Sequence, residues 1–452
     1  RQSINIYSDN SFYFLNFTKG SKRIASNTFS GVPTTTVTSF NDFQFINKDS
    51  INLGSFGKRW FGQQFGNRLG AANSRTFNFS FPNISTTDPL NIFIALGGLG
   101  YVTTSNFATY ANGTLLGPTI FTSGPKLEGI NSIWPGDLEI SNKTELTTAL
   151  DSLQKLKVDF IKITDNTLAP DLFLKSIIAA RKRGWKVTGH VPATMNVEVF
   201  SKNGLSAIEH IGYLQRAASK NEDSITKLRA VNKISGREAN ELYLNSFDST
   251  VAIAKFKQLA KNGTAVVPTI NGSYITTYLD KTSHTNDDYL RYLGPALKRT
   301  YNWRIERASK DNIDAIAFRH KNFEAAANLL PLLYKSGVVI LAGTDAGFLN
   351  SFNYPGLGMH DELAIMVKYG LTPQQALICS IINGPAFFNQ SKLYGAVAKQ
   401  KNADLLILNA NPLLDINNTK KIDAVINKGK YLNRKYLDNL LADTEQKVKL
   451  LK

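Results

Sequence analysis

Val158-Asp-Phe-Ile-Lys162-Ile, Val187-Thr-Gly-His190-Val, Ala207-Ile-Glu-His210-Ile and Val338-Val-Ile-Leu-Ala-Gly-Thr-Asp345 are four short apolar runs, each reaching a polar residue at or near its end. Helix-length amphipathic stretches lie around and between them, from Lys143 to Leu156, from Asp171 to Arg183 and from Val197 to Asn203. Further runs occur at Thr119-Ile-Phe-Thr-Ser and Ala265-Val-Val-Pro-Thr-Ile, and a long helical section covers about 287–335. Strand–helix alternation of this kind predicts an α/β fold with a parallel sheet and right-handed crossovers. Eight such units close into a (β/α)8 TIM-like barrel of roughly 250 residues or more, whose strand ends converge on one mouth.

The two ends of the chain have a different pattern. Ser11-Phe-Tyr-Phe-Leu-Asn-Phe, Thr34-Thr-Thr-Val-Thr-Ser-Phe and Phe43-Gln-Phe-Ile alternate like strands. After Gly395, Ala403-Asp-Leu-Leu-Ile-Leu, Ile422-Asp-Ala-Val-Ile-Asn and Gly429-Lys-Tyr-Leu follow one another without helices between them. The expected organisation is therefore 1–65 as the first part of a small β-sandwich, 66–392 as the barrel, and 393–452 as the second part of the sandwich. A charged amphipathic helix is expected from Tyr436.

Hydrophobic content of 42% and aromatic content of 11% exclude a disordered chain. No apolar run reaches the roughly 20 residues of a membrane helix, so no transmembrane segment is expected. The single cysteine, Cys379, excludes a disulfide framework and lies in an apolar stretch, where an inert buried thiol is expected. A formal charge of +17 favours acidic surroundings. The Lys and Arg residues are scattered, however, with the densest runs at Lys19-Gly-Ser-Lys22-Arg23 and in the tail from Lys428 to Lys452. No segment interleaves aromatics with Arg, so a solvated basic surface is expected and no specific nucleic-acid site. Asn-x-Ser/Thr sequons at Asn16, Asn78, Asn83, Asn112 and Asn142, and a start at Arg1, point to a periplasmic or extracellular protein.

Two histidines and a carboxylate at neighbouring strand ends suit zinc or a similar divalent ion. Lys162 cannot ligate as an ammonium. It can as a carbamate, a form that burial and metal charge both favour. The other possibility is an ion pair between Lys162 and Asp345 across the mouth, with His190 and His210 as hydrogen-bonded rim residues. Glu209 precedes His210 on the same strand and is expected to point away from the interior, into a structural pairing. His360 opens a helix beside the mouth, as a substrate contact or as a surface cap, and Tyr354 lies on the loop after Asp345, where it is a further candidate substrate contact. His284 and His320 fall in the helical section and receive no role.

Several segments together resemble the amidohydrolase superfamily, in its imidazolonepropionase-like and prolidase-like branch. They are Leu116-Gly-Pro-Thr-Ile-Phe-Thr-Ser-Gly-Pro, Asp159-Phe-Ile-Lys162-Ile, Gly189-His190-Val-Pro, Ala207-Ile-Glu-His210-Ile, Gly343-Thr-Asp345-Ala-Gly, Met359-His360-Asp-Glu-Leu, Gly370-Leu-Thr-Pro-Gln-Gln-Ala-Leu and Asn402-Ala-Asp-Leu-Leu-Ile-Leu. The resemblance implies Lys162 as a bridging carbamate, His190 and His210 on the second metal, and Asp345 as a ligand of the first metal and general base. It also implies an Asp-x-His-x-His motif at the first barrel strand. Here Phe65-Gly66-Asn67-Arg68-Leu69-Gly70 puts Arg68 and Gly70 where the histidines belong, and a second register offers Asn78 and Ser80. The five histidines are His190, His210, His284, His320 and His360, so the pair is absent from the chain.

The expected function is a metal-dependent hydrolase of C–N bonds in an amide, cyclic amide or dipeptide, with Arg68 a further substrate contact. It would use one zinc ion rather than two and a small or peptide-like substrate. The alternative is an inactive barrel without metal, serving as a binding or scaffold subunit for a protein partner.

Overall fold

A computed structural model describes residues 117–134 and 136–451. Its main sheet contains β1 (Leu127–Glu128), β2 (Leu138–Glu139), β3 (Ile161–Ile163), β4 (Val187–Gly189), β5 (Ala207–Glu209) and β6 (Ala265–Val267). All pairs are parallel, in the order β2-β1-β3-β4-β5-β6. The Val338 run does not form a regular strand. It lies beside β6 through a parallel bridge between Val266 and Ile340, with the Val266 amide donating to Val339 and the Leu341 amide donating to Val266. The Thr119 run is not a strand either. β1 and β2, two residues each, take the place of a strand there.

The helices form where the apolar spacing places them. Lys143–Lys155 buries Leu146, Ala149, Leu150 and Leu153 along one stripe, and the Asn142 side chain caps it by accepting from the Glu145 amide. Pro170–Lys182 starts on a proline in its first turn, which needs no amide partner there. Ser249–Lys261 is capped by Asp248. Ile161, Ile163, Val187, Ile208 and Val266 are fully buried in the main core with Leu150, Phe173, Ile177, Phe200 and Phe256 of these helices and of Val197–Lys202. Along β3 and β5 the intervening residues take the other face, so Lys162, Ala207 and Glu209 look into the barrel interior. Gly189 is required by close approach: a Cβ there would sit 2.2 Å from the Ile163 carbonyl oxygen.

One buried carboxylate locks the loop after β3. Glu128 accepts from the amides of Gly129 at 2.8 Å, Asn166 at 3.0 Å, Thr167 at 3.2 Å and Leu168 at 3.0 Å, and from Asn166 Nδ2 at 2.8 Å. Burial pushes its pKa up, but these bonds outweigh burial and hold it below the ordinary glutamate value. Glu128→Gln should lower the unfolding free energy by about 2 kcal/mol in urea titration, because the amide side chain turns a donor toward backbone donors.

The C-terminal strands expected after Gly395 are β7 (Leu405–Leu408), β8 (Ile422–Asn427) and β9 (Lys430–Leu432), an antiparallel sheet followed by the helix Arg434–Lys449. Residues 1–65, the expected other half of a sandwich, lie outside the described residues, as does the boundary at 66. Among the described residues no helix is long and apolar enough to cross a membrane. Cys379 is buried, with its thiol pushed up to about 12 by burial.

Candidate metal centre

Lys162, His190, His210 and Asp345 all line one cleft of about 380 Å³. The cleft also takes Lys126, Thr164, Thr269, Asn350 and Asn353 from the connecting segments and Arg304 from the helix Pro295–Ala308.

The two histidines face each other with Nε2 atoms 3.0 Å apart. Each is held from behind at Nδ1. For His190 the partner is Asp165 Oδ1 at 3.5 Å, and for His210 it is Thr269 Oγ1 at 2.7 Å. The Asp165 carboxylate beside Nδ1 favours a proton there, the tautomer that leaves an Nε2 lone pair facing His210. Either a proton or a cation must then lie between the rings. Two nitrogens bound to one tetrahedral zinc at roughly 2.0–2.1 Å are about 3.3 Å apart, so the pair fits a shared divalent ion with small movement. Burial, the neighbouring Lys162 and, for His210, the His190 ring lower both pKa values, His210 well below its ordinary value. Both rings are therefore neutral near pH 7, the form that ligates metal.

Lys162 does not pair with Asp345. Its Nζ forms an ion pair with Glu209 Oε2, and the Thr188 hydroxyl donates to Glu209 Oε1 at 2.7 Å. Burial pushes Lys162 down to about 8, against the pull of Asp345. Glu209 makes the expected structural pairing but not in the expected direction: it points inward, close to both histidines though not part of the cleft lining. In β5 it alternates with Ile208, which is buried in the main core, and it sits level with Val267 of β6. His210, next in the chain, should then turn away, but its φ of 68° breaks the strand alternation and swings the ring back toward His190. One ligand atom each from His190, Glu209 and His210 lie within 4.8 Å of one another.

Asp345 also has a positive φ, 56°. Asn350 Nδ2 donates to its Oδ2 at 2.9 Å, and Asn353 Nδ2 donates to the carbonyl of Thr344 just before it. Among the described residues Asp345 Oδ1 has no hydrogen-bond partner in the protein.

The remaining sequence candidates fall elsewhere. His360 sits half-buried in the helix Leu357–Lys368, beside Asp361 and Lys420 and outside the cleft lining. Tyr354 is buried in a satellite aromatic cluster with its hydroxyl on Asp287 at 2.7 Å, also outside the lining. Arg68 lies outside the described residues. His284 bonds Asp287 and His320 bonds Asp280, each away from the cleft. The sequence reading missed Glu209, Lys126, Arg304, Asn350 and Asn353. Only Glu209 had a local signal, its position directly before His210.

A parallel α/β barrel with nitrogen and carboxylate donors at successive strand ends defines a class of metal-site scaffold. The chain belongs to the Amidohydrolase family, whose profile matches residues 114–432. Among solved structures it is similar to bottromycin amidohydrolase, with a TM-score of 0.55 and 18% identity over 73% of this chain and 68% of that one. It is also similar to a putative prolidase from Bifidobacterium longum, with a TM-score of 0.49 and 19% identity over 74% and 72% of the two chains. A Xaa-Pro dipeptidase with bound methionine gives a TM-score of 0.47 and 18% identity over 71% and 70%. At these identities the likeness concerns the fold. No curated protein matches the sequence.

Proposed function

We propose that the protein is a metal-dependent hydrolase of C–N bonds, acting on an amide, cyclic amide or dipeptide through a single-ion site. The facing Nε2 atoms of His190 and His210, 3.0 Å apart and each fixed from behind at Nδ1, carry this reading. These residues would hold the ion, with zinc the best match to a neutral imidazole pair. A bound divalent ion supplies Lewis-acid chemistry, polarising a carbonyl and acidifying water.

The chain's own residues supply the rest. Asp345 takes and returns a proton at Oδ1, while Asn350 holds Oδ2 and Asn353 steadies the backbone at Thr344. Lys126, also in the lining, is already paired with Asp137, while Arg304 brings a cation to the same cleft. That suits a substrate carrying a carboxylate, as a dipeptide or N-acyl amino acid does. Arg304 is itself positioned by bonds to the Leu349 carbonyl and Asn350 Oδ1.

The second reading, an inactive barrel that binds a partner, is favoured by the missing His-x-His motif. Elemental analysis separates the two. Protein purified without chelator should carry about one zinc, manganese or iron per chain, in line with one donor cluster. His190→Ala should lose the metal and the hydrolysis of dipeptides and N-acyl amino acids together. Metal at background level after loading would leave the inactive barrel as the function.

A further inference from the structure

We infer that Glu209, and not a carbamylated Lys162, completes the metal site with His190 and His210. The inference rests on the single-ion reading and names its third donor.

Geometry comes first. The Glu209 carboxylate and the two imidazoles already bring one donor atom each within 4.8 Å of one another. Glu209 ends β5, and His190 and His210 directly follow β4 and β5, adjacent strands whose register is set by the pairs Thr188–Ala207 and Gly189–Ile208. Closing them on one ion takes side-chain rotation, not strand movement. Two neutral nitrogens and one carboxylate, with a position left open, form a donor set used by catalytic zinc. Oε1 and Oε2 are oriented by Thr188 and Lys162, the kind of outer support that fixes a ligating carboxylate.

Charge argues in the same direction. A carbamate forms when an unprotonated Nζ attacks carbon dioxide and a proton leaves, turning a cation into an anion. Here Nζ is held by Glu209, so the carbamate would face that carboxylate across a buried gap with Asp345 on the same cleft. Three anions would then share one divalent ion. A bridging carbamate is balanced by a second metal, and the histidine pair that would hold it is absent from the sequence. With Lys162 kept as an ammonium, two carboxylates and one ammonium leave a single negative charge for the ion to meet.

The test measures zinc affinity by competition with a chromogenic chelator, on full-length wild type, Glu209→Gln, Glu209→Asp and Lys162→Met. Glu209→Gln should weaken zinc binding by at least about 100-fold, more than the loss of an outer-shell partner. Glu209→Asp, which keeps the charge, should recover part of it. Lys162→Met should bind zinc within about tenfold of wild type, and wild-type binding should not depend on added bicarbonate. If Glu209→Gln does not fold by circular dichroism, Glu209→Gln/Lys162→Met removes the stranded ammonium, and its zinc affinity decides instead. Wild-type affinity in the Gln variant, or zinc lost in Lys162→Met together with bicarbonate-dependent zinc binding in the wild type, overturns the proposal. Zinc that depends on Glu209 in a protein that hydrolyses nothing would refute the hydrolase and leave this site standing.

Discussion

Replacing Arg216 with alanine should lower the unfolding free energy by about 3–5 kcal/mol, the cost of breaking a buried charge arrangement by removing one partner. The side chain is almost fully buried, 5% exposed. Its Nη1 donates to the Pro192 carbonyl at 2.7 Å and its Nη2 to Val191 at 2.9 Å. These carbonyls directly follow His190, while Arg216 itself lies just beyond the 3-10 turn Ile211–Leu214 that follows His210. One guanidinium therefore ties the two histidine-bearing loops together. Its charge is opposed by Glu222, whose Oε1 accepts from the Val197 amide at 2.8 Å and whose Oε2 has no partner. Burial pushes Glu222 up and Arg216 down, each opposed by the charge of the other. Alanine leaves the Val191 carbonyl unbonded, leaves the Pro192 carbonyl only its long bond from the Met195 amide, and strands the Glu222 charge. Because the two share one environment, Arg216→Met combined with Glu222→Gln should cost less than the sum of the single changes. Urea unfolding of the four proteins measures this, and additive losses would mean that the two groups do not interact.

Much of the site was legible from strand endings. Lys162, His190, His210 and Asp345 each terminate or follow an apolar run, and the barrel geometry carries all four to one cleft. The helices before β3 and β4 were legible too, since their buried stripes repeat at helical spacing. Glu209 was misjudged because a period of two was extended through His210, where a positive φ ends the strand. Nothing in Ala207-Ile-Glu-His210 announces that reversal. β1 and β2 are too short to have any periodicity. Lys126, Asn350 and Asn353 belong to connecting segments, where side chains reach the cleft through loop paths that no local pattern encodes, and Arg304 reaches it from the helix Pro295–Ala308. His360 and Tyr354 show the converse: closeness in sequence to Asp345 put them on the right segment but not in the lining.

Raising the pH from about 5 to about 8 should favour Glu362→Gln over the wild type by as much as about 3 kcal/mol of unfolding free energy. Glu362 is fully buried, and its carboxylate accepts from the amides of Ile270 at 2.9 Å and Asn271 at 2.7 Å. It thereby occupies the N-terminus of the helix Ile270–Thr277, where the helix dipole favours a negative charge. Burial nevertheless prevails over these bonds and raises its pKa to about 7. The folded protein then holds a proton on Glu362 between the unfolded value of 4.5 and about 7, where the unfolded chain has released it. Stability therefore falls as pH rises through that window, and the loss is complete above it. Glutamine cannot titrate, so the variant lacks this slope and every other group cancels in the comparison. The consequence reaches the candidate metal centre through Thr269, which precedes this helix in a left-handed conformation and holds His210 Nδ1 at 2.7 Å. A carboxylate that stabilised the fold instead, with a pKa below its unfolded value, would give the opposite trend: wild type gaining on Glu362→Gln as pH rises from 3 toward 5 and no change above. Unfolding titrations of both proteins from about pH 3 to about pH 8 decide between the two signs.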